Sequence, residues 1–174
     1  MDVVPETMLI LRTAKMMAVA ALAVLVSLVA FGNITDYDTN FAFVQHVLLM
    51  DTIFPNATIR YRAITNPALH HAAYALIIAA EVLTAVLCWI GSFHLLGHVR
   101  NTGHGFNRAK RTAIAGLMLG FLLWQVGFIA LGGEWFGMWM SSQWNGIPSA
   151  FRYLVMTLGV LIFLSLPDSD ISEP

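Results

Sequence analysis

A chain of 174 residues that is 58% hydrophobic and only 11% charged does not fit a soluble globular domain, in which about 25% of residues are charged and too much side chain lies near water to hide so much apolar surface. Mean hydropathy is +0.72 and net charge is −1, so the chain reads as one domain dissolved in lipid, with no electrostatic case for nucleic acid as a partner. The single cysteine, Cys88, excludes an internal disulfide and a Cys/His zinc pattern.

A spanning helix needs about 20 mostly apolar residues to cross about 30 Å of hydrocarbon. Four runs meet or approach that length. The first covers residues 9–31, with Arg12 and Lys15 near its start and no charge from residue 16 onward. It has the basic start of a signal peptide, but about fifteen residues precede its uncharged part and the small-residue site near Ala30 is poor. It is therefore expected to stay as a helix.

The loop that follows, residues 32–66, is long, and loops beyond about 12–15 residues usually carry structure or function. Within it the stretch 41–54 is strongly apolar. Asn40 is a candidate N-cap and Pro55 a stop. A short helix is expected there, either lying in the membrane interface or packed on the bundle. Asp36-Tyr37-Asp38-Thr39-Asn40 begins like a calcium loop, but Phe41 stands where glycine is needed and Val47 where glutamate is needed. Asn33-Ile34-Thr35 and Asn56-Ala57-Thr58 match the glycosylation triplet, which arises often by chance.

The second run, residues 67–96, contains one charged residue, Glu81, near its middle. A charge at the bilayer centre costs about 2.5–3.5 kcal/mol on insertion scales, so such a residue usually faces protein. At 100° per residue, His70, Tyr74, Glu81 and Cys88 share a narrow stripe with Thr84 beside it. Gln125 in the third run and Arg152 at the start of the fourth are candidate partners for Glu81. Three uses are open for this polar site: an interhelical hydrogen bond that fixes packing, a proton or ion path, or a contact with a quinone or lipid head group.

The third run, residues 112–131, is uncharged. Gly116 and Gly120 lie four apart, with Gly127 on nearly the same face, a pattern that lets helices approach closely, within the bundle or against a partner. The loop 132–148 then carries Trp135, Trp139 and Trp144, three of the five tryptophans. Trp135 and Trp139 are four apart and so share a face if the segment is helical. Tryptophan favours the head-group level, and Asn145-Gly146 signals a turn. The segment is expected to run along the interface, as an aromatic anchor or a docking face. The fourth run is residues 150–166.

The histidines of the spans, His70, His71 and His94, all fall in the second run, which argues against haem between helices. No HExxH, GxSxG or phosphate-loop motif is present. No cofactor, metal or catalytic group is expected, and an enzymatic role is disfavoured. Arg12, Lys15, Arg100, Arg108, Lys110 and Arg111 flank one side of the spans, against Arg60, Arg62 and Arg152 on the other. The positive-inside rule then puts both termini in the cytoplasm.

Gly132-Gly133-Glu134-Trp135-Phe136, Met138-Trp139, Trp144-Asn145-Gly146 and Ala150-Phe151-Arg152, together with Asp36-Tyr37 and Asn40-Phe41, resemble the signature of a bacterial family of predicted small integral membrane proteins carried as a domain of unknown function. The resemblance covers nearly the whole chain. It implies four helices in a bacterial inner membrane and a shared surface of Trp135, Trp139, Trp144, Asn145 and Arg152. It implies no activity. The expected protein is an all-α four-helix transmembrane bundle with interfacial helical segments in both outer loops. Its expected role is an accessory or structural subunit beside a larger membrane partner or a second copy. A small transporter or proton-handling protein built on Glu81, or a quinone- or lipid-binding subunit, are the alternatives.

Overall fold

The computed structural model describes residues 6–169. Among the described residues there is helix and no strand. Four helices are long and apolar enough to cross a membrane: Glu6–Thr35, Pro67–His98, Gly103–Trp135 and Ile147–Ser165. In hydrocarbon every backbone amide must find a partner within the chain, and a helix supplies one for each.

Helix α1 (Glu6–Thr35) continues through Gly32 and is followed almost at once by α2 (Tyr37–Leu49). Helix α2 begins earlier than the expected Asn40 cap. Asp36 holds the N-cap position, while Asn40 sits inside the first turn and donates to the Asp36 carbonyl at 2.9 Å. The helix also stops before Pro55, at Met50, which takes a left-handed conformation with φ 51°. The segment packs on the bundle, where Val44 and Leu48 close over Tyr74. The rest of the loop is folded down by Ile64 N–H donating to the Leu48 carbonyl at 2.9 Å. Arg60 also reaches the carbonyls of Met50, Ile53 and Phe54.

Helix α3 (Pro67–His98) starts by the ordinary rules: Asn66 accepts from Ala68 N–H at 2.9 Å and Pro67 occupies the first turn. Its buried stripe is His70, Tyr74, Glu81, Thr84, Ala85, Cys88, Gly91, Ser92 and Leu95, which contains every residue of the polar stripe read from the sequence. Helix α4 (Gly103–Ala109), capped by Thr102, leads directly into α5 (Arg111–Leu122). From Leu123 to Trp135 the same span continues as a π-helix. Its wider i→i+5 turns break the register that would have put Gly127 on the face of Gly116 and Gly120. Helix α6 (Ile147–Ser165) returns to the starting end.

The core is set by three glycines. A Cβ at Gly91 would lie 2.6 Å from the Ala113 backbone, one at Gly116 3.0 Å from Cys88 N, and one at Gly120 3.1 Å from Thr84 Cγ2. Helices α3 and α5 therefore touch backbone to backbone over this stretch. Val19, Leu22, Ala23 and Val26 of α1 and Leu161 and Leu164 of α6 complete the cluster. Above Thr84 the close glycine contacts end. Leu119, Leu122 and Leu123 face Leu76 and Ala80 instead, and the two helices part around an apolar groove of about 650 Å³.

Candidate functional site

The polar site centred on Glu81 forms with a partner the sequence did not single out. Glu81 is 1% exposed, and its Oε2 accepts a hydrogen bond from Asn33 Nδ2 at 2.8 Å. The Asn33 carbonyl in turn accepts from Tyr74 Oη at 2.9 Å. Asn33 thus clamps α1 to two turns of α3. It lies two residues from the end of α1, so Glu81 is level with the last turn of that helix, not with its middle. Continuation of the first helix through Gly32 was the available signal, since it turns a supposed loop asparagine into a helix residue.

The Glu81–Gln125–Arg152 network does not form. Gln125 is half-buried on the π-helical segment, and Arg152 is exposed. Arg152 donates to Ser149 Oγ at 3.0 Å, within its own first turn. The large groove touches α3 at Ala80 and Ile77 but not at Glu81. A carboxyl group that is enclosed and bonded across to another helix holds the two helices together.

A second polar cluster ties the other end of the bundle. Asp168, just past α6, receives Lys110 Nζ at 2.6 Å and Lys15 Nζ at 2.7 Å on one carboxylate oxygen, with Arg12 Nε 3.8 Å from the other. Asn107 reads its backbone in both directions, accepting from the Asp168 N–H and donating to its carbonyl. Both lysines also donate to the Leu166 carbonyl. Burial pushes the Asp168 carboxyl up, but hydrogen bonds and charge from Lys110 and Lys15 outweigh it and hold it below the usual carboxylate range. Arg12, Lys15 and Lys110 are buried in this knot and not at the water boundary.

The crown, formed by the two long loops, gathers the tryptophans. Trp135 and Trp139 do not share a helical face. Gly137, with φ +67°, ends the span after Trp135, and Trp139 belongs to a separate 3-10 turn, Met138–Met140. They are nevertheless 51% and 47% exposed. Arg62 lies over the Trp135 ring at 4.6 Å and donates to the Trp135 carbonyl at 3.1 Å. Phe54 meets Trp139 edge-on at 5.8 Å. Trp144 is instead folded onto His46, with ring centroids 4.6 Å apart. Asn145 precedes Gly146, the N-cap of α6, and its Oδ1 accepts from Ile147 N–H. Gly116 and Gly120 face α3 inside the chain, so they offer no surface to a partner.

Among the described residues no group of three or more His, Cys, Asp or Glu side chains could hold a metal ion. His71 stacks on Phe41 at 4.1 Å and bonds Tyr37 Oη, and His70 bonds the Ile64 carbonyl. Both are committed to holding α2 and its loop on α3.

Four apolar spanning helices and buried interhelical polar clamps define a multi-pass integral membrane protein. The family described as predicted small integral membrane protein (DUF2165) matches residues 11–167, and the chain belongs to that family. No curated protein and no solved structure matches it.

Proposed function

We propose that this protein is a non-enzymatic accessory or structural subunit that packs beside a larger membrane partner. The observation that supports it most is the crown. Trp135 and Trp139 are exposed, yet Arg62 and Phe54 already fix their rings. Tryptophan and arginine dominate the energetics of interfaces, and rings held in place beforehand lose less freedom on docking. The enclosed Glu81–Asn33 pair supports a scaffold more than a proton or ion path.

The proposed location is a bacterial inner membrane with both termini cytoplasmic, from the family resemblance and the distribution of basic residues. That three of those cations end in an internal knot does not weaken the assignment, because the positive-inside rule acts on the chain as it is inserted, before helices pack.

Affinity purification from native membranes in mild detergent, followed by mass spectrometry, tests the reading. A stoichiometric membrane partner that is lost in Trp139→Ala is the expected result. A homogeneous monomer recovered without a partner overturns it.

A further inference from the structure

The groove between the first half of α3 and the π-helical segment is an unfilled feature of the molecule. Its volume is about 650 Å³ and its walls are almost wholly apolar. Leu76, Leu122, Val126 and Leu131 line it and are also exposed, so it opens sideways toward the bilayer. Helix α2 forms a further wall through Phe43, Val44, Val47 and Leu48. The groove is within the range of small-molecule sites, about 300–1,000 Å³. A helix about 10 Å across would place only about a turn and a half in such a volume, whereas a flexible hydrocarbon chain can fill it.

A cation stands near the groove. Ile64 and Phe136 are among its lining residues. Arg62 is two residues from Ile64 and hydrogen-bonded to the carbonyl of Trp135, the neighbour of Phe136. Its guanidinium lies over the rings of Trp135 and Tyr61, at 4.6 and 5.5 Å. It makes no ion pair with a carboxylate among the described residues, and its Nη2 makes no hydrogen bond there. Arg60 differs, since it is used on three loop carbonyls. Arginine flanked by tryptophan and tyrosine near an apolar slot matches the order of groups in a phospholipid, phosphate above and chain below.

We propose that this groove holds one acyl chain of a phospholipid whose phosphate is bound by Arg62. The lipid bridges α3 and the π-helical segment, filling the space left when the glycine seam ends. The seat requires no protein partner, although it shares Arg62 with the crown.

The test is native mass spectrometry of the full chain in detergent, titrated separately with dioleoylphosphatidylglycerol, with dioleoylglycerol, which has the same chains and no phosphate, and with inorganic phosphate. Two variants probe the two halves of the site. Gly127→Leu fills the groove: a Cβ there meets only Leu123 Cδ1, at 3.6 Å. Arg62→Gln removes the charge and keeps a donor for the Trp135 carbonyl.

The expected result is one saturable phospholipid adduct, roughly tenfold weaker binding of dioleoylglycerol, and no binding of phosphate alone. Arg62→Gln should weaken the phospholipid roughly tenfold and remove the preference for it, with Arg62→Lys restoring most of it. Gly127→Leu should remove the adduct. Retained helicity and a single-species elution profile identify variants that have folded, and Arg62→Lys against Arg62→Gln remains a valid comparison if Gly127→Leu does not fold. The proposal is overturned by absence of a saturable adduct, by unchanged binding in folded Gly127→Leu, by a phosphate preference that survives Arg62→Gln, or by phosphate binding without the chains.

Discussion

Asn33 does two jobs with one side chain and its own carbonyl. Its amide nitrogen donates to Glu81 and its carbonyl receives Tyr74. Interhelical hydrogen bonds in membranes contribute modestly, about 0.6 kcal/mol on average. Glu81→Gln keeps an acceptor for Asn33, so its thermal midpoint in detergent should stay close to that of the parent. Asn33→Leu leaves an enclosed carboxyl group without its partner and should destabilise by about 1–3 kcal/mol. The reverse order, with Glu81→Gln the more damaging, would show that the charge itself is needed and would return attention to ion handling. The stripe containing Glu81 was legible from helical periodicity alone. Its partner was not, because which residue of another helix arrives at a given height depends on tilt and on how far each helix extends.

At the scale of helices, the bundle is organised by where small residues occur and where they stop. Gly91, Gly116 and Gly120 bring α3 onto α5. Gly116→Val should be the most informative substitution, because its first added atom would already lie 2.9–3.0 Å from Leu87 Cβ and from Cys88 N and Sγ. Overpacking of this kind costs about 1–3 kcal/mol. A Cβ at Gly159 meets nothing within 4 Å, so Gly159→Ala should leave the midpoint unchanged or slightly raised. Equal effects of the two substitutions in the same unfolding assay would refute the seam. The small-residue pattern was visible in the sequence, but the passage from α-helix to π-helix at Leu123 was not. That passage moves Gly127 off the seam and exposes it to the groove, where a leucine can be accommodated. The same limit applies to Trp135 and Trp139: four-residue spacing means a shared face only while a helix continues, and Gly137 ends it.

For the molecule as a whole, Asp168 is where α1, α5 and the end of α6 are joined. Asp168→Asn preserves shape and removes the only carboxylate that Lys15 and Lys110 pair with among the described residues, leaving like charges buried together. Breaking a buried pair in this way costs about 3–5 kcal/mol, so a large drop in thermal midpoint is expected. Because the folded Asp168 carboxyl is held below its ordinary value, its contribution is present above the unfolded carboxylate pKa of about 3.9 and is lost as pH falls below that value. Melting between pH 7 and pH 3 should show the parent losing stability at the acid end and Asp168→Asn losing less. Parallel curves would remove Asp168 from its role as the latch.

Taken alone, the sequence determined the solvent of this protein, its four spans, its all-helical class, its family and the face of α3 that is buried. The family was read from a resemblance in its motifs, and the others follow from composition or from a period of 3.6 residues, which are properties of a chain read along its own length. Only the tertiary structure decided that Asn33 meets Glu81, that three cations meet Asp168, that α2 lies on the bundle and that Arg62 is bonded to Trp135. Those outcomes depend on the separation, tilt and relative height of helices far apart in the chain, and such distances are set by packing, which no single segment encodes.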